Sequence, residues 1–166
     1  MRPKFVNAWA ASRNIYDAAN SSAKVAKVIG GKVAMNVNSQ DERIRWRNTC
    51  AVRMSYILNY SDCLIPYITN QTVSGGDRRW YFYRVKNLIA FLIEEWGKPD
   101  MVVPYPQPDN GPLKNKKGII LFAVSGWGDA EGHATLWDGT ICYDHCYFNE
   151  PNVNYKTTQA NFWSLP

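Results

Sequence analysis

GHATLWDGTICYDHC, residues 132–146, is the stretch on which the fold turns. Two short runs flank Asp138-Gly139, and Asp-Gly is the strongest short signal for a tight β-hairpin loop. Strands are expected over Gly132–Trp137 and from Thr140 to about Cys142. With Asp138 and Gly139 as the loop, Trp137 opposes Thr140 and Leu136 opposes Ile141. Counting outward, Thr135 opposes Cys142, Ala134 opposes Tyr143, and His133 opposes Asp144. Directly opposed residues share a face, with Cβ atoms about 5 Å apart. Local pairing alone would therefore bring a carboxylate to an imidazole.

Working outward, the apolar run Gly118–Val124 reads as a buried strand, and the proline-rich run from Pro104 to Pro112 as a loop. Helices precede them. Residues 22–30 carry Val25, Val28 and Ile29 at helical spacing, with Ser21 or Ser22 as cap and Gly30-Gly31 as the stop. Asn48 is a good cap for a helix over Thr49–Asn59, with Met54, Ile57 and Leu58 facing inward. The clearest helix is Arg84–Trp96, with Val85, Leu88, Ile89, Leu92 and Trp96 in register and Gly97 at the exit. Between the last two helices lies the polar loop Ser74-Gly75-Gly76-Asp77. Helices first and an antiparallel sheet after them is an α+β order, and 166 residues suit a single domain over 1–166.

Composition excludes some classes. Hydrophobic residues at 46% and charged ones at 20% are ordinary globular usage, not disorder. The apolar runs are too short to span a bilayer, so no membrane insertion is expected. The amino-terminal stretch is broken by Asn7 and by residues 12–17, so no signal peptide is expected. The net charge of +5 suits any polyanion and does not choose among them. The basic residues are scattered, with no run of five, and no nucleic-acid partner is expected.

Chemistry is restricted to few residues. Only His133 and His145 exist, beside Cys50, Cys63, Cys142 and Cys146. Cys50 lies in the first turn of its helix, where free N–H groups and the helix dipole favour thiolate over thiol. The same N–H groups could hold an oxyanion. Two readings stand: Cys50 as nucleophile with His133 as base, or a buried inert cysteine and a structural histidine. Cys63 lies past the helix end and reads as packing. Asp138 rivals Asp144 but sits at the turn, about 16 Å along the strand from His133. An extended strand would hold the Cα atoms of Cys142 and Cys146 about 13 Å apart. A disulfide needs under about 7 Å. Joining them would therefore break the strand near Cys142. Cys142, His145 and Cys146 supply three metal ligands with no fourth, so neither metal nor cofactor is expected.

The set NTCAVRMSYILN, SGGDRRWYFYRV, GKPD, KKGIILF and SGWGDAEGHATLWDGTICYDHC, in this order from about residue 5 to Pro166, resembles the type VI secretion amidase effectors of family four. The resemblance implies a papain-like α+β fold of the NlpC/P60 class, N-terminal helices packed on an antiparallel sheet. It implies thiolate hydrolysis of the γ-D-glutamyl–meso-diaminopimelate bond in peptidoglycan stems, with Cys50 as nucleophile, His133 as base and Asp144 as third member. The oxyanion donor on this reading is the backbone N–H of Cys50. It also implies a disulfide between Cys142 and Cys146. The implied partners are peptidoglycan peptide stems, a periplasmic immunity protein and a component of the type VI apparatus, which would deliver the chain without a signal peptide into the periplasm of target bacteria. Two other functions remain open from the sequence: a cysteine amidase cutting the muramoyl–alanine bond, and a non-catalytic wall-binding toxin domain. Cys63 and the pair Arg78-Arg79 receive no role from the resemblance.

Overall fold

A computed structural model describes residues 1–109, 111–127 and 132–166. Residue 110, inside the expected proline-rich loop, and residues 128–131, inside the block before His133, lie outside the described residues. Four helices come first: α1 (Phe5–Ile15), α2 (Ser21–Ile29), α3 (Gly31–Val37) and α4 (Cys50–Asn59). A two-stranded ribbon, β1 (Thr72–Ser74) and β2 (Trp80–Phe82), leads into α5 (Val85–Trp96). Strands β3 (Met101–Pro104), β4 (Gly118–Ser125), β5 (Gly132–Trp137) and β6 (Lys156–Ser164) form an antiparallel sheet ordered β3-β6-β4-β5. The architecture is the expected α+β arrangement.

Period-two alternation along β4 divides the core. Ile119 and Leu121, with Ala134, Leu136 and Trp163, join the core built from the helices. Ile120, Phe122 and Val124 join Trp137, Phe148, Ala160 and Phe162 on the other side. Helix α4 is buried along its whole length. Its Val52, Met54, Ile57 and Leu58 share the first core with Ala134 and Leu136 of the edge strand β5. Thus α4, which begins at Cys50, lies against the strand that carries His133.

Helix ends follow local chemistry with small departures. Asn20, not Ser21 or Ser22, caps α2, its side chain accepting from the Ala23 N–H at 3.1 Å. Gly30 leaves the helix at φ +67°, and Gly31 at φ +59° starts α3 against the β1–β2 loop. A Cβ on Gly31 would lie 2.5 Å from the backbone of Gly75 and Gly76, so this crossing admits no side chain. That contact explains the SGGD loop: it is the surface on which α3 rests.

The hairpin differs from expectation. No strand forms over 140–142; Cys142 makes only a bridge, and its partner is Trp137. The loop holds four residues because the Asp138 carboxylate accepts from the N–H groups of Thr140 and Ile141, both at 2.8 Å. Gly139, at φ +103°, accepts from the Asn115 N–H at 3.1 Å, where a Cβ would strike the Asn115 backbone. The register therefore shifts by two. Tyr143 N–H donates to Leu136 C=O at 3.0 Å, which places Asp144 beside Thr135 rather than opposite His133. A shift of two preserves facing, so the side chain of Asp144 still reaches His133 on the diagonal. The Cys142–Cys146 disulfide is present, with Cα atoms 5.5 Å apart, and the strand breaks there.

Candidate active site

Cys50 opens α4 and is 2% exposed. Thr49 is the residue at the cap position, but the cap bond to Cys50 comes from Asn48, whose Oδ1 accepts the Cys50 N–H at 3.0 Å. The backbone N–H expected to meet an oxyanion is thus occupied in the resting site. The Cys50 thiol lies 3.9 Å from the Gly132 carbonyl, beside the residue that carries the His133 imidazole. Burial would push this thiol up. Its bond to His133, the charge of that ring, the Ala134 N–H and the Arg53 charge prevail, and the thiol titrates below its ordinary value. Cys63, the other free cysteine, shows the contrast: burial pushes it up to about 11, and it packs in the core as expected.

His133 Nε2 lies 3.0 Å from Asp144 Oδ2, which leaves Nδ1 as the ring nitrogen for the thiol. The Nε2 contact is poorly aligned for a hydrogen bond, and among the described residues no better partner exists. Charge attraction in a buried setting carries it. Burial disfavours the imidazolium, yet Asp144 and Cys50 outweigh burial and raise His133 to about 9. Asp144 is 1% exposed at its side chain. Burial would raise it, but His133, Arg53 and the Thr135 hydroxyl hold it well below the usual carboxylate range. Its Oδ1 accepts from Thr135 Oγ1 at 2.6 Å and from the His145 N–H at 2.7 Å. His145 itself is exposed, its ring edge-on to Tyr147. No cluster able to hold a metal ion occurs among the described residues.

Sequence reasoning missed Arg53. This arginine is 7% exposed within a buried helix whose other residues are all uncharged. Its Nη2 donates to Asp144 Oδ2 at 2.9 Å, its Nε to Tyr143 Oη at 3.2 Å, and its Nη1 to Ser21 Oγ and Thr49 Oγ1 at 2.7 and 2.8 Å. The guanidinium also lies 5.3 Å from the Tyr16 ring centre. A signal existed: Arg53 stands three residues after Cys50 and four after Thr49, on one helix face. Arg79 is explained locally, since it donates to the Asn59 carbonyl and covers the Tyr60 ring. Arg78 is exposed, and nothing in the structure gives it a role.

A thiol with a depressed pKa, an imidazole with a raised one and a buried carboxylate behind it form an arrangement suited to nucleophilic attack on a carbonyl. The comparisons narrow this further. The family model for type VI secretion system amidase effector protein 4 (Tae4) matches residues 46–163, and the chain belongs to that family. The Tae4–Tai4 effector–immunity complex of Enterobacter cloacae is similar at 40% identity and TM-score 0.88, covering 100% of both chains. Tae4 alone from Enterobacter cloacae is similar at 41% identity and TM-score 0.86, over 100% of this chain and 98% of that one. Tae4 of Salmonella typhimurium, in complex with the immunity Tai4 of Enterobacter cloacae, is 37% identical with TM-score 0.87, over 99% and 100%. No curated protein sequence matches the chain.

Proposed function

We propose that this chain is an antibacterial effector that hydrolyses the γ-D-glutamyl–meso-diaminopimelate amide of peptidoglycan stems, with Cys50 as nucleophile, His133 as base and Asp144 as the carboxylate that orients it. The observation that carries this reading is the thiol at the head of α4 beside a histidine held on a buried aspartate, in a chain of an amidase effector family. His133 takes the Cys50 proton, the thiolate adds to the γ-carbonyl, and the imidazolium protonates the departing amine. Water, activated by the same ring, then releases the acyl group. The Cys50 N–H serves the oxyanion once substrate displaces the side chain of Asn48 from it. Type VI delivery would bring the chain to the periplasm of the target cell. Among the described residues no helix is long and apolar enough to cross a membrane.

Two solved relatives are bound to an immunity protein, Tai4. By extension, a cognate periplasmic immunity protein covers the groove around Cys50 in the producer and shields the thiol from alkylation. The decisive test is mass spectrometry of purified tetrapeptide muropeptides after digestion. The expected products are a diaminopimelate-containing dipeptide and a disaccharide peptide ending in D-Glu. An intact stem freed from muramic acid would instead identify a muramoyl–alanine amidase. Cys50→Ala and His133→Ala should abolish turnover with unchanged circular dichroism, and Cys63→Ala should retain it.

A further inference from the structure

Cys50 opens into a groove of about 1000 Å³, walled by residues 42–48, by Tyr83 to Lys86 with Ile89, and by Phe122, Ala123 and Trp127. Among the described residues, the lining carries five basic side chains, Arg43, Arg45, Arg47, Arg84 and Lys86, against one acid, Glu42. Three of the five are already engaged. Arg43 pairs with Asp41 at 2.7 Å, and Arg45 and Arg47 pair with Glu42 at 3.1 and 3.7 Å. Arg84 and Lys86 have no carboxylate partner among the described residues.

Arg84 is nevertheless held in place. Its guanidinium lies 4.8 Å from the Tyr83 ring centre, and Nη1 lies 3.5 Å from the Asn70 carbonyl. Tyr83 donates to that same carbonyl at 3.0 Å and stacks on Trp46, with ring centres 4.9 Å apart at 12°. A planar cation laid on a fixed ring keeps N–H groups on its edge for an incoming anion, and guanidinium geometry matches carboxylate. A cleft lined by one sign of charge also concentrates ligands of the opposite sign.

We propose that Arg84 and Lys86 form a carboxylate-recognition subsite that grips a free carboxylate of the peptide whose amide Cys50 attacks. The inference rests on the substrate reading above. A γ-glutamyl link leaves the glutamyl α-carboxylate free on the acyl side, and diaminopimelate keeps a free carboxylate on the leaving side. Both are the same chemistry close to the scissile amide.

Two measurements test the subsite, and the first needs no peptide. Rates of Cys50 alkylation by iodoacetate and by iodoacetamide give an anion-to-neutral ratio for wild type, Arg84→Ala, Lys86→Ala and a distant control, Lys98→Ala. The ratio should fall several-fold in both groove variants, more at low salt, and stay unchanged in the control. The second compares kcat/KM for three stem peptides: unmodified, amidated at the glutamyl α-carboxyl, and amidated at the free diaminopimelate carboxyl. One amide should lower wild-type kcat/KM about 10- to 100-fold, mainly through KM. Arg84→Ala should show a similar loss on the free peptide and no longer distinguish that amide, which identifies the carboxylate gripped. An unchanged alkylation ratio overturns the subsite, and so do equal kcat/KM values for all three peptides. Cleavage at another bond would refute the substrate reading alone, since the alkylation ratio still judges the subsite.

Discussion

Asp138 and Asp144 lie in the same loop region yet act on different things. Among the described residues, Asp138 accepts only from its own turn, from Thr140 and Ile141. Asp144 is enclosed by Arg53, Thr135, His145 and His133. Asp138→Ala should therefore cost about 1 kcal/mol of stability and leave kcat/KM near wild type. Asp144→Ala should lower kcat/KM by at least about a hundredfold in a folded protein. Steady-state rates and melting temperatures of the two variants decide it; a dead, well-folded Asp138→Ala beside a fully active Asp144→Ala would remove Asp144 from the site. The pH dependence has a definite sign. Cys50 is lowered and His133 raised, so the pair favours thiolate with imidazolium and titrates as a unit. Activity should decline above about 9, where the imidazolium is lost. Asp144→Asn should move this alkaline limb to lower pH. Stability obeys the same shifts. The raised His133 contributes fully below its unfolded value of 6.5 and nothing above about 9. The depressed Asp144 contributes above its unfolded value of 3.8, and this is lost as pH falls through its folded value.

At the scale of elements, the bridged loop 142–146 does what a strand was expected to do. Closing so short a loop is worth about 2 kcal/mol on the loop-entropy view. Its larger effect is the aim of Asp144, which sits between the two joined cysteines. Reduction should thus depress activity more than melting temperature, as paired rate and thermal scans with and without reductant would show; equal losses would make the bridge a general brace only. This loop also marks how far the sequence could be read. Asp138-Gly139 announced a chain reversal, and period two put His133 and Asp144 on one face. The exact partner was not legible, because a side-chain acceptor at Asp138 widened the turn. Helices α2, α4 and α5 were legible from their stripes and glycine stops. Helix α1 was not, since its inward residues Ala8, Ala11 and Ser12 are small and only Ile15 is large. Strands β1 and β2 are three residues each, too short for any period. Cys50 stood out by position, whereas Arg53 acquires its meaning from residues 91 positions away.

Over the whole molecule, that arginine is the meeting point of distant chain segments. Arg53→Met would keep much of the packing but strip Asp144 of a cation, leaving it buried with the His133 imidazole and the Thr135 and His145 hydrogen bonds. A loss of about 3 kcal/mol or more is expected from such a broken buried pair, measurable by urea unfolding. A kinetic consequence follows from the same contacts. The guanidinium gathers Ser21, Thr49, Tyr143 and Asp144, at separations of 32, 4, 90 and 91 residues. Contacts this distant in sequence close late, because loop entropy must be overcome before they form. The helices can assemble early, yet the thiol lacks His133 until the far end of the chain docks. A refolding chain pulsed with iodoacetamide below the ordinary thiol range should gain the native rate of Cys50 labelling only after far-ultraviolet dichroism has recovered. Simultaneous recovery would place the site in the early nucleus. A chain stopped short of its native state is then chemically silent, and the reactive sulfur is the last thing that folding makes.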